Sequence, residues 1–116
     1  EEMIDRFGPI PTIVNRLILA ATLRYYASYA LFERIIMQRK STTIILPKGE
    51  KEDYYKNQFV ELMRYILDEQ KETIEFEQKK KIMRLQIKNK FESPEKLLDF
   101  LIEISSNIKG LFANEN

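Results

Sequence analysis

Two groups of side chains in this 116-residue sequence have types and spacing that could do more than fold. The first opens the chain: Glu1-Glu2-Met3-Ile4-Asp5-Arg6-Phe7-Gly8-Pro9-Ile10-Pro11. Its carboxylates put negative charge in the first turn of a short helix, where the helix dipole favours it. The order acidic-apolar-Asp-Arg-Phe-Gly-x-x-Pro is nevertheless more specific than a generic helix corner requires. The second group is the basic run Lys79-Lys80-Lys81, with Arg84, Lys88 and Lys90 close behind. Lysine clusters neutralise backbone phosphate and release counterions, so this run is a candidate phosphate contact. Its other reading is a solvated hairpin tip and a charged strand face that discourages edge pairing. Few aromatic residues lie beside it, so a stacking platform for single strands is not indicated.

Most other chemistry is excluded by composition. The chain has no His and no Cys. That removes the commonest general base and metal ligand, any thiolate nucleophile, and any disulfide framework. A Ser-His-Asp or Cys-His set is impossible. Only three Gly occur, and no Gly-x-x-x-x-Gly-Lys-Ser/Thr loop is present to cradle phosphate. The carboxylate pairs Asp68-Glu69 and Glu75/Glu77 sit in polar contexts and read as surface, not as general acids with raised pKa. A catalytic domain, a metal site and a resident cofactor are therefore not expected. Net charge is +1, which favours neither nucleic acid nor its avoidance. No apolar run approaches the roughly 18 residues of a membrane span. The absence of Cys fits a reducing, cytoplasmic setting.

The elements that must carry these groups can be read from periodicity. Ile4 and Phe7 anchor the opening turn, Gly8 ends it, and Pro11 suits the first turn of the next helix. A long helix is expected from 12 to about 30, apolar over much of its circumference. It reads as a central core helix, with Tyr25, Tyr26 and Tyr29 as the alternative lining of a partner groove. Residues 32–37 and 42–46 are β-branched and apolar, with a polar turn at 38–41, and predict a hairpin whose register the pattern leaves open. Helical periodicity returns from 51 to about 68, with Tyr55, Phe59, Leu62, Met63, Ile66 and Leu67 on one face. Two further strands are predicted at 73–77 and 82–88. Met83, Leu85 and Ile87 face a core, and Arg84, Gln86 and Lys88 face water. Ser93-Pro94 is a strong helix start. Leu97, Leu98, Leu101, Ile104 and Ile108 then form a stripe to about 109, where Gly110 would fray or stop the helix. The expected order is α-α-β-β-α-β-β-α, a single α+β domain over 1–116 with a small antiparallel or mixed sheet packed against helices. A chain that begins inside such an element is expected to be a piece of a longer protein.

The opening stretch resembles the start of the C-terminal domain of the bacterial transcription-repair coupling factors (Mfd). That family shows an acidic residue, two apolar residues, then Asp-Arg-Phe-Gly-x-x-Pro, matched by Glu2-Met3-Ile4-Asp5-Arg6-Phe7-Gly8-Pro9-Ile10-Pro11. Its long helix carries a Leu-Arg pair, matched by Leu23-Arg24. One departure is visible: Tyr29-Ala30 stands where the family often has Leu-Gly, so the turn out of the helix is expected to differ in shape. The resemblance implies that this is the last domain of an ATP-driven double-stranded DNA translocase. That parent displaces stalled RNA polymerase and recruits the excision-repair protein UvrA. ATP and Mg would belong to the motor upstream, and no cofactor to this domain. It further implies a regulatory domain that packs on a UvrB-like module of the same protein and masks its UvrA-binding surface. Glu2 and Asp5 would face arginines of that module, and Arg6 would join the interface or pair within the domain. Read from the residues alone, Glu2 and Asp5 serve equally well as helix-dipole partners. Freed of its partner, the masking surface is expected to pair with a second copy in a crystal. No membrane partner is expected.

Overall fold

In a computed structural model, residues 12–88 and 90–113 are described. Glu2, Asp5 and Arg6, and the whole expected opening helix, lie outside the described residues. The rest follows the expected order. Helix α1 (Thr12–Tyr29) leads into strands β1 (Arg34–Met37) and β2 (Ser41–Ile45). Helices α2 (Glu52–Lys56) and α3 (Gln58–Glu69) follow, then β3 (Ile74–Lys79), β4 (Ile82–Lys88) and α4 (Pro94–Ala113).

The four strands form one antiparallel sheet in the order β1-β2-β4-β3. The two hairpins therefore meet through β2 and β4, leaving β1 and β3 as edges. Register puts Ile44 opposite Leu85, Thr42 opposite Ile87, and Ile74 opposite Ile87. All five are buried, so one face of the sheet forms the core floor. Leu62 and Ile66 of α3 and Leu101, Ile104 and Ile108 of α4 complete that core. Fully burying an aliphatic side chain contributes about 1.5–3 kcal/mol, and these positions supply the main apolar stabilisation. The opposite face is polar, as alternation in β4 predicts. There Thr43 Oγ1 donates to Gln86 Oε1 at 2.9 Å, and the directly opposed Glu77 and Arg84 are ion-paired.

The end of α1 explains how the chain manages without a glycine. Leu31 takes a left-handed φ of 63°. The Leu31 N–H donates to the Ser28 carbonyl at 3.3 Å and the Phe32 N–H to the Ala27 carbonyl at 3.1 Å. These are the two bonds of a Schellman stop, with Leu in the position that usually holds Gly. The turn thus keeps the standard hydrogen bonds and accepts a strained backbone at Leu31.

Three expectations are corrected. Helix α1 is not a central core helix: only Leu23 and Ala27 are buried, while Ile13 and Leu17 are 70% and 65% exposed. One face of it, through Leu19, Leu23 and Ala27, packs, chiefly on α4, and Ile13, Leu17, Ile18, Tyr25 and Tyr29 are left outside. The helix expected over 51–68 is two helices, broken at Asn57 (φ −116°, ψ −78°). Tyr54 in the first segment is buried against the rings of Tyr55, Phe59 and Phe112. In the second, Leu67 is 54% exposed and Met63 is exposed too, while Tyr65 is buried. The expected face holds at Phe59, Leu62 and Ile66, but the buried arc extends to Tyr65 and not to Met63 and Leu67. The Tyr65 ring is buried because its hydroxyl is satisfied, accepting from Asn107 Nδ2 at 3.0 Å and Gln70 Nε2 at 3.3 Å. Third, Gly110 does not stop α4, which runs on to Ala113 and docks Phe112 against Tyr54.

Candidate interaction surfaces

The described chain begins where the opening motif ends, at the first turn of α1. That turn is fixed from the side. Arg16 Nε donates to Glu95 Oε2 at 2.5 Å, tying the start of α1 to the start of α4. Ser93 caps α4 by accepting from the Lys96 N–H at 3.2 Å, as its position before Pro94 predicts. The Arg16 guanidinium hydrogen bond, then the Glu95 backbone N–H, hold the Glu95 carboxyl below its usual range. The two helix starts therefore form one charged platform directly after Pro11. Beside it, Ile13 and Leu17 are a helical i,i+4 pair with no cover among the described residues.

The tyrosines of α1 sit further along the same helix. Tyr25 packs edge-on against Tyr26 and Tyr29, with centroids 5.0 and 5.2 Å apart. The ammonium of Lys109 in α4 lies 5.8 Å from the Tyr25 ring centroid and 5.0 Å from that of Tyr29. These cation–π contacts link the two helices at the surface. Tyr25 and Tyr29 stay half-exposed, so they form a rim, not a closed groove.

The basic run is dispersed by the sheet. Lys80 and Lys81 make the β3–β4 turn, both with left-handed φ, 52° and 69°. Lys79 pairs with Ile82 just below them. Arg84 is engaged by Glu77, and Glu75 lies on the same strand face. Lys88 is at the far end of β4, about 20 Å from the tip at the usual rise per residue. What remains as a compact cationic group is the three-lysine tip.

Among the described residues, no cluster of His, Cys, Asp or Glu could hold a metal ion. Burial pushes the Tyr54 phenol well above its ordinary pKa, with Tyr55 adding to the shift, so Tyr54 is a neutral aromatic anchor. Among the described residues, no helix is long and apolar enough to cross a membrane.

Sequence reading missed one feature. A concave groove of about 410 Å³ runs between α1 and the edge strand β1, lined by Leu23, Ala27, Phe32, Ile35 and Leu98 among others. Arg24 and Arg34 stand on its walls. These residues are scattered along the sequence, and only the sheet order brings them together.

Residues 1–57 match the family model described as "TRCF domain". No curated protein sequence matches the chain. Among solved structures, a crystal structure of the C-terminal domain of transcription-repair coupling factor is similar, with a TM-score of 0.64 at 20% identity. The match covers 95% of this chain and 68% of that one. At that identity the likeness speaks for the fold, and the fold agrees with the family matched by the first half of the sequence. The chain thus has the fold of the C-terminal domain of transcription-repair coupling factor, and its first 57 residues match the TRCF-domain family.

Proposed function

We propose that this domain is a non-catalytic regulator within a bacterial, cytoplasmic transcription-repair coupling factor. It packs on a UvrB-like module of the same protein and covers that module's UvrA-binding surface. The observation that carries this reading is the family match over 1–57, which includes the acidic opening motif. Glu2 and Asp5 supply carboxylates to arginines of the module, and Arg6 lies at the edge of the contact. The parent is an ATP-driven translocase on double-stranded DNA that displaces stalled RNA polymerase. Its ATP and Mg are held by the motor, outside this domain.

The described surface is compatible with such a contact. Ile13 and Leu17 leave uncovered apolar area directly after the acidic motif, and interfaces combine apolar centres with charged rims. Exposed charge pairs contribute about 0–1 kcal/mol each, whereas removing one partner of a desolvated pair costs about 2–5 kcal/mol. A clamp that opens when the motor engages belongs between those limits, because a stronger contact would not respond. Charge reversal at both positions (Glu2→Lys, Asp5→Lys) in the full-length protein is expected to raise UvrA affinity. Unchanged affinity with the domain still folded would refute the assignment.

A second reading, a nucleic-acid contact through residues 79–90, is weaker. With Arg84 paired to Glu77, it reduces to Lys79, Lys80 and Lys81. Tight DNA binding by the isolated domain with a steep negative salt slope would favour it.

A further inference from the structure

The β1 edge is open, and its surroundings define what could occupy it. The Gln38 N–H donates to the Ser41 carbonyl at 2.9 Å, which makes that pair a hydrogen-bonded one. Antiparallel pairs alternate, so Ile36 opposite Thr43 is hydrogen-bonded while Ile35 and Met37 are not. The N–H and C=O groups of Ile35 and Met37 therefore point away from β2, toward the free edge. No backbone partner meets them among the described residues. The other edge, β3, carries Glu75, Glu77 and Lys79, the charged residues that usually guard an edge. Strand β1 reads Arg-Ile-Ile-Met and has no proline along it.

Two adjoining hollows flank this edge. One is the groove against α1; the other, near Arg39, is lined by Phe91, Pro94 and Leu97. They share Met37 and Leu98, so they adjoin along the edge as a mainly apolar trough with charged walls. Arg34 stands at one end of β1, Arg39 lies just past the other, and Arg24 faces them from α1. All three are exposed, and none is in an ion pair among the described residues. Of the two carboxylates that line these hollows, Glu33 is already paired with Lys51 at 3.7 Å, and Glu92 shares the second hollow with Arg39. Four strand residues span about 13 Å, the length of a short extended peptide.

We propose that this trough is a peptide-docking site that takes an extended segment with alternating aliphatic and acidic residues, added as a fifth strand beside β1. Main-chain bonds go to Ile35 and Met37, aliphatic side chains on one face fill the trough, and carboxylates on the other face and at the strand end meet Arg34 and Arg39. Strand addition of this kind draws affinity from the main chain and specificity from alternate side chains. The site uses none of Glu2, Asp5 or Arg6, so it stands or falls separately from the regulatory contact proposed above. The mainly aliphatic lining and the free backbone groups favour a peptide over a single nucleic-acid strand.

The test is fluorescence anisotropy with the 116-residue chain and a fluorescein-labelled decapeptide alternating Glu or Asp with Val or Ile. Amide hydrogen exchange at Ile35 and Met37 is followed in parallel. Saturable binding is expected, with exchange at both amides slowed at least fivefold. Methylating alternate peptide nitrogens should abolish binding. The double substitution Arg34→Glu, Arg39→Glu, both on the surface, should weaken binding at least tenfold. The proposal is overturned by no saturable binding, by equal binding of the N-methylated peptide, or by tighter binding of a ten-nucleotide oligothymidine. It is also overturned if sedimentation shows the chain self-associating with the same amides already protected, since the edge would then be covered by a second copy.

Discussion

Replacing the β3–β4 turn residues Lys80-Lys81 by Asn-Gly should make the domain more stable. Both lysines hold left-handed φ, 52° and 69°, in a two-residue loop between Lys79 and Ile82. That is the geometry of a type I′ turn, which Asn-Gly fits best. A left-handed backbone costs a residue with a Cβ about 1–2 kcal/mol. Asn tolerates the conformation, and Gly carries no such penalty, although Gly returns about 0.5–1 kcal/mol through the freer unfolded chain. Both lysine side chains are exposed, so no packing is lost. The net gain is about 1 kcal/mol, or roughly 4 °C in Tm for a domain of this size. Urea and thermal denaturation followed by circular dichroism would measure it. An unchanged or lower midpoint would refute the left-handed turn. The same variant removes two of the three lysines in the tip, so DNA binding that survives it cannot run through this hairpin.

Other consequences follow from local geometry. Gly110 lies inside α4, and a Cβ there would meet nothing within 4 Å. Gly110→Ala should therefore stabilise the domain by about 0.5–1 kcal/mol, seen as a higher urea midpoint with unchanged slope. Ser93→Ala removes the cap of α4 and should cost about 1 kcal/mol by the same assay. The Arg16–Glu95 contact predicts a pH signature. The Glu95 pKa is lowered on folding, so the contribution is fully present above the ordinary value of 4.5 and is lost as pH falls through the folded value. Arg16→Met should accordingly narrow the stability difference between pH 7 and pH 3, and an unaltered difference would show that the contact does not couple to folding.

Much of this fold was legible because its strongest signals are local. Ser93-Pro94 marks a helix start through an N-cap whose bond the structure contains. The bounds of β4, and its split into Leu85 and Ile87 inward and Arg84 and Gln86 outward, follow from strict alternation. What failed depended on tertiary context. The buried Tyr65 hydroxyl accepts from Gln70 and from Asn107, 42 residues away. The break at Asn57 follows the segment whose Tyr54 ring meets Phe112, from the other end of the chain. Helix α1 is apolar over much of its circumference but finds described neighbours for one arc, and periodicity cannot say which arc is covered. The β1 trough was invisible for a related reason: Arg24, Arg34 and Leu98 become neighbours only through a sheet order and register that the weakly alternating first hairpin did not specify. For the opening motif, the signal lay in residue identities shared with a family.

The central claim is that the acidic motif docks this domain on its own protein's UvrB-like module. The most direct measurement is the affinity of the isolated domain for that isolated module, with and without Glu2→Lys and Asp5→Lys. Saturable binding that falls at least tenfold in the double variant, with the domain still folded, is the predicted result. No binding, or binding indifferent to both substitutions, would contradict it.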